Sequence, residues 1–144
     1  MKLLITLIIT IIPSLLFAND IEKISGVYGY EKYGVTMPDG SQVTFDKINV
    51  KTAYLNIRKD LKVILQMHMK DGQITQTSGE IQEIHIDGNS GYWLAKWSGL
   101  NYLVRKDFSF NKEKILYKIK FDNPDDKVRF GTTEEALITR IKEE

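Results

Sequence analysis

Cysteine is absent from this 144-residue chain. No disulfide can support the fold, no thiol can act as a nucleophile, and no lipid can be attached through an N-terminal cysteine. Histidine is nearly absent: His68 and His85 stand alone, without the spacing that a metal site requires. Three catalytic signatures are missing as well. The chain holds no Gly-x-Ser-x-Gly elbow, no His-Glu-x-x-His pair and no phosphate-binding glycine loop. These absences point away from an enzyme, with no cofactor and no metal expected.

Long apolar runs are confined to one place. Lys2 is followed by an apolar stretch from Leu3 to Leu16, broken by Thr6, Thr10, Pro13 and Ser14, and then by Leu16-Phe17-Ala18 before the polar Asn19-Asp20. A short positive start, an apolar centre and a small residue at a cut site form the pattern of a secretory signal peptide. The stretch is short for a spanning helix, which needs about 20 apolar residues. Residues 1–18 are therefore expected to be cleaved, and the remainder to act in the periplasm or outside the cell, without stable membrane insertion. Lys2 is the only charge in that leader, so residues 19–144 carry 19 basic and 19 acidic side chains. A net charge of zero supplies no field toward nucleic acid or an anionic membrane. With 126 of the 144 residues left after an 18-residue leader, one domain with its own apolar core is expected.

What the sequence does have is rhythm. Asp39-Gly40, Lys59-Asp60, Asp71-Gly72, Ser78-Gly79, Asp87-Gly88, Ser98-Gly99, Asn111-Lys112 and Asn123-Pro124-Asp125 mark breaks every eight to twenty residues. Asp-Gly supplies the positive φ of tight hairpins. Between the breaks, apolar and polar residues alternate with the period of a strand. Leu61, Val63, Leu65, Met67 and Met69 oppose a mixed face of Lys62, Ile64, Gln66 and His68; Ile115, Tyr117, Ile119 and Phe121 oppose Leu116, Lys118 and Lys120. Ala53, Leu55 and Ile57 oppose Tyr54, Asn56 and Arg58, and Val128 and Phe130 oppose Arg129. Val43 and Phe45 start a strand whose phase changes near Asp46-Lys47, which suggests a bulge. Thr132-Thr133-Glu134-Glu135 resembles a helix start, yet Leu137–Ile141 reads as a last strand, and a closing barrel needs one. The expected fold is all-β: a single antiparallel up-and-down meander barrel of about 8–10 strands over residues 19–144.

The opening segment Ile24-Ser25-Gly26-Val27-Tyr28-Gly29-Tyr30, in an exported meander without helical insertions, resembles the lipocalin-like group of the calycin barrels. In that group a Gly-x-Trp motif starts the first strand, its ring plugs the closed end, and an arginine near the last strand packs over it. Gly26, Tyr28 and Arg140 match those positions, with tyrosine in place of tryptophan; the family's mid-chain Thr-Asp-Tyr motif is missing. The resemblance implies binding of a small apolar molecule inside the barrel.

Tyr92, Trp93, Trp97 and Tyr102 crowd into GYWLAKWSGLNY, as either a cavity wall or ordinary core. Met67 and Met69 read the same two ways. The candidate ligand-binding face comprises Phe45, Leu55, Val63, Leu65, Met67, Trp93, Trp97 and Tyr117. Nothing ionisable is expected to point inward, so a neutral ligand or one whose head group stays at the mouth is implied. His68 and His85 should point outward, and Asp122-Asn123-Pro124-Asp125-Asp126 reads as a turn in preference to a cation site. The leading expectation is an exported carrier of an apolar molecule or lipid. The alternative is a solid barrel that engages a protein partner through outer residues such as Tyr54, Asn56, Arg58, His68 and His85.

Overall fold

The computed structural model describes residues 19–142, so the expected leader at 1–18 and the last two residues lie outside the described part. After a short helical segment at 19–24 the chain is almost entirely strand. The strands are β1 (Gly26–Thr36), β2 (Gln42–Val43), β3 (Val50–Ile57), β4 (Lys62–Met69), β5 (Ile74–Asp87), β6 (Ser90–Trp97), β7 (Leu103–Phe110), β8 (Lys114–Lys120) and β9 (Thr133–Lys142). Each pairs antiparallel with the next in the order β1-β3-β4-β5-β6-β7-β8-β9, and β9 returns to β1. Eight strands thus close a meander barrel, consistent with a lipocalin-like fold, and closure leaves no long free edge. β2 is a two-residue addition on the far end of β1, where Val35 and Thr36 face Val43 and Gln42.

The Asp-Gly pairs sit at the turns as expected, with Gly72 and Gly88 at φ of +90° and +63°. The alternation also holds. Leu55, Ile57, Val63, Trp93, Ala95, Ile115, Tyr117 and Ile119 are buried, and their sequence neighbours on the other face are more exposed. Of four register shifts in the ladders of the described residues, two lie well inside a strand. Between Tyr30 and Lys32, β1 has an extra residue against β9, and between Ile81 and Glu83, β5 has one against β6. Bulges of this kind bend a strand and help a sheet close.

Two expected strand segments are corrected. Val43–Asp46 does not continue as a strand past Val43; Asp46–Ile48 form a 3-10 turn, ended by Asn49 in the left-handed region at φ 60°. Val128–Phe130 lie in a turn, with Phe130 N donating to Asp126 O at 2.8 Å, and Val128 is 81% exposed. The C-terminal segment is a strand, β9, as favoured.

The barrel has a closed end and a mouth. Ile21 and Ile24 of the helical segment are fully buried under the closed end. Tyr28 donates from its hydroxyl to Ile24 O at 2.8 Å. Arg140 lies 5.0 Å from the Tyr28 ring centroid and donates to Ser25 O and, at 3.2 Å, to Lys112 O. At the mouth, Ser98 and Leu100 of one connection and Phe121 and Arg129 of another border the interior. Among the described residues no helix is long and apolar enough to cross a membrane.

Candidate functional site

Most of the interior is packed. Val63 is 0% exposed and Trp93 is 1% exposed, and both belong to the continuous core that also holds Ile57, Ile84, Ala95 and Ile138. Toward the mouth the packing opens around a cavity of about 190 Å³. Leu55 and Leu65 of the β3–β4 hairpin, Val104 of β7 and Ile119 of β8 supply its aliphatic walls. Tyr30, Trp97, Tyr117 and Phe121 supply rings, and Thr77, Ser98 and Leu100 complete the rim.

Four of the eight expected binding residues, Leu55, Leu65, Trp97 and Tyr117, therefore line this cavity. The other four lie elsewhere. Val63 and Trp93 are core, and Met67 is half-buried toward the strand end, beside Ala53 and Thr75 in the ladder. Phe45 stacks on Tyr33 at 4.2 Å between centroids and meets Tyr30 edge-on at 5.5 Å, so the 3-10 turn carries it over the rings of β1. The three plug residues stand together at the closed end, far from the mouth in chain topology.

The expectation that nothing ionisable points inward is overturned. Lys106 is only 3% exposed and lines the cavity, as do Glu134 and Arg129. Lys106 follows from strand alternation: it falls between Val104 and Phe108, both buried, on β7. Glu134 likewise shares the inner parity of Ala136 and Ile138 on β9. The Lys106 ammonium sits 3.9 Å from the Tyr117 ring centroid, 4.8 Å from Trp93 and 5.9 Å from Trp97. Among the described residues no carboxylate forms an ion pair with it. Burial lowers its pKa to about 8, against a smaller upward pull from the charge of Glu134.

Glu134 is held differently. Tyr117 donates to one of its oxygens at 2.8 Å and Tyr33 to the other at 3.2 Å. Tyr30 and Tyr117 hydroxyls lie 2.8 Å apart. Each hydroxyl has one proton, so with Tyr117 donating to Glu134, Tyr30 donates to Tyr117. Burial, and then the charge of Glu134, pushes the pKa of all three tyrosines upward. Arg129, from the turn after β8, is paired with Asp126 at 3.1 Å. Asp126 also accepts from Tyr102, whose own pKa is pushed up to about 12 by burial and by that bond.

One buried donor beside Lys106 is unsatisfied: the Trp93 indole N–H has no acceptor. Buried donors normally find partners. The β7–β8 ladder is also short. β7 and β8 pair only from Asp107 opposite Lys118 to Phe110 opposite Ile115, so they separate beside Lys106 as they approach the mouth.

A larger depression of about 730 Å³ lies outside the barrel, bordered by Arg58, Lys62, Glu80, Lys96 and one side of Trp97. It is open and charged, and it shares only Trp97, Ser98 and Leu100 with the inner cavity. On the outer face His85 is exposed and meets Glu83 at 2.8 Å, while His68 is half-buried against Gln66 at 2.9 Å. Among the described residues no group of three or more His, Asp or Glu side chains is placed to hold a metal ion. Comparison with protein-family models, with curated proteins and with solved structures found no match.

Proposed function

We propose that this protein is an exported binding protein that takes one small, largely apolar molecule into the mouth-end cavity of its barrel. The observation that carries the reading is a ring-lined cavity of about 190 Å³ in an otherwise close-packed interior. Apolar walls with a few polar groups are the usual make-up of a small-molecule site. The volume bounds the ligand, because a cavity of about 150 Å³ suffices for benzene. A single ring or a short branched chain fits, whereas an extended acyl chain would have to displace Trp93 or Val63 from the core. The proposed export rests on the Lys2 to Ala18 pattern, and the reading is one of binding without turnover.

The test is thermal. Near-saturating toluene should raise the unfolding temperature of the protein, since a ligand at 100 times its Kd stabilises by about 2.7 kcal/mol. Leu65→Trp, which fills the cavity from β4, should remove the effect. No toluene shift in the unaltered protein would refute the reading.

A second reading has one observation in its favour. Leu116 and Ile141 are 55% and 58% exposed on the outer face of β8 and β9, near Leu137, which pairs with Leu116. A protein partner bound there would protect these residues, and Leu116→Lys would abolish its binding without changing the toluene shift.

A further inference from the structure

The cavity is apolar except where Lys106 enters it, and Lys106 is the group least accounted for by the fold. An ammonium loses its hydration when buried and is tolerated when an opposite charge replaces the water. Lys106 has ring faces in place of such a charge, on Tyr117, Trp93 and Trp97. Cation–π contact offsets part of the loss but accepts no hydrogen bond. Glu134 borders the same cavity, yet its two oxygens are engaged by Tyr117 and Tyr33. A second donor with nothing to bind, the Trp93 indole N–H, belongs to the ring 4.8 Å from the Lys106 ammonium. Lys106 is thus a buried cation set against ring faces, with no carboxylate paired to it among the described residues.

We propose that the ligand is a small apolar acid, its carboxylate received by Lys106 and its apolar body lying among Leu55, Leu65, Val104 and Ile119. This rests on the reading of the cavity as a binding site and narrows it to a class. A carboxylate is a compact anion, so it meets the Lys106 ammonium while leaving most of the space for one ring or a short chain. Lys106 sits at the inner side, beside the core residue Trp93, so the acid enters head first through the mouth. Arg129, already paired with Asp126 at 3.1 Å, contributes positive potential along that path without needing to let go of its partner. Glu134 works against the acid, because two carboxylates then flank one ammonium. That opposition makes the proposal specific: removing the charge of Glu134 must tighten acid binding.

The experiment compares three probes of one shape, namely toluene, benzyl alcohol and benzoate, titrated calorimetrically into the purified protein at pH 7. Benzoate should bind at least about tenfold more tightly than benzyl alcohol, the difference expected of one charge-assisted hydrogen bond. Lys106→Met should erase that preference, and cooperative urea unfolding shows that the variant is folded. Glu134→Gln should strengthen benzoate several-fold relative to toluene. Toluene bound and benzoate bound no better than benzyl alcohol would overturn the acid while sparing the cavity. Benzoate affinity unaffected by Lys106→Met would also overturn it. If neither toluene nor benzoate binds, both readings fall together.

Discussion

Lys106 is the residue on which the chemistry of this barrel turns, and its burial has a measurable consequence. Its pKa is about 8 in the folded protein and 10.5 in the open chain. Below pH 8 both states hold the proton, and the folded state bears the full penalty of a buried charge. As pH rises from 8 to 10.5 the unfolded chain holds more protons than the folded one, so the penalty is relieved. Lys106→Met should therefore be more stable than the unaltered protein at pH 7, by up to about 3 kcal/mol. That advantage should shrink toward pH 10, as read by urea midpoints at each pH. The raised pKa values of Tyr30, Tyr33 and Tyr117 act the other way, sustaining stability up to pH 10 and losing it above. They are common to both proteins and cancel in the difference. Tyr117→Phe removes the donor to Glu134 and the acceptor for Tyr30 together. A loss of about 1–3 kcal/mol in the same urea measurement is expected from groups left unpaired in the interior. Lys106 was within reach of the sequence. The two-residue period that assigns other strands also puts it on the inner face between Val104 and Phe108, and the pattern is blurred only because polar Arg105 and Asp107 surround it. Glu134 was hidden further, in a segment whose first residues read equally well as a helix start. The unsatisfied Trp93 N–H left no sequence signal, since acceptors come from other strands.

At the scale of the element, what was legible was whatever depends on alternation and turn chemistry. The parities of β3, β4, β6 and β8 follow directly from their apolar residues, and the Asp-Gly pairs place the turns. The bulges were not legible. Nothing local marks Glu31 or Gln82 as an extra residue, because the demand arises from the partner strands that must close. For the same reason the paired placement of Tyr30 and Tyr33, on either side of a bulge, emerges only in three dimensions. Thr44–Asp46 and Val128–Phe130 alternate like strands but lack a neighbour to pair with, so turns take them. One close approach gives a sharp test. A Cβ at Gly91 would lie 2.2 Å from His85 O, across the β5–β6 ladder. Backbone cannot step aside cheaply, so Gly91→Ala should cost about 1–3 kcal/mol or more. At Gly79 the nearest atom is instead the Trp97 indole, at 2.9 Å. Gly79→Ala should displace that ring, shifting tryptophan emission and reshaping the cavity wall, with a smaller loss of stability. The closed end rests on packing of the 19–24 segment. Ile24→Ala, at a fully buried site, should lower stability by about 2–5 kcal/mol by urea denaturation.

At the scale of the whole molecule, closure of eight strands does two things. It satisfies the backbone without disulfides, and it creates an interior too large to fill evenly at both ends. The closed end is sealed by Ile21, Ile24, Tyr28 and Arg140, and the middle by Trp93, Val63 and their neighbours. The remainder is the cavity at the mouth, bordered by the stretch where β7 and β8 part. The central claim is that this space receives a compact apolar molecule. It is tested most directly by methyl NMR of the protein during titration with toluene. The account predicts shifts concentrated on Leu55, Leu65, Val104 and Ile119, with Ile21 and Ile24 at the closed end and Leu116 on the outer face unmoved. Shifts centred on Leu116 or Ile141, or no saturable shifts at all, would contradict it.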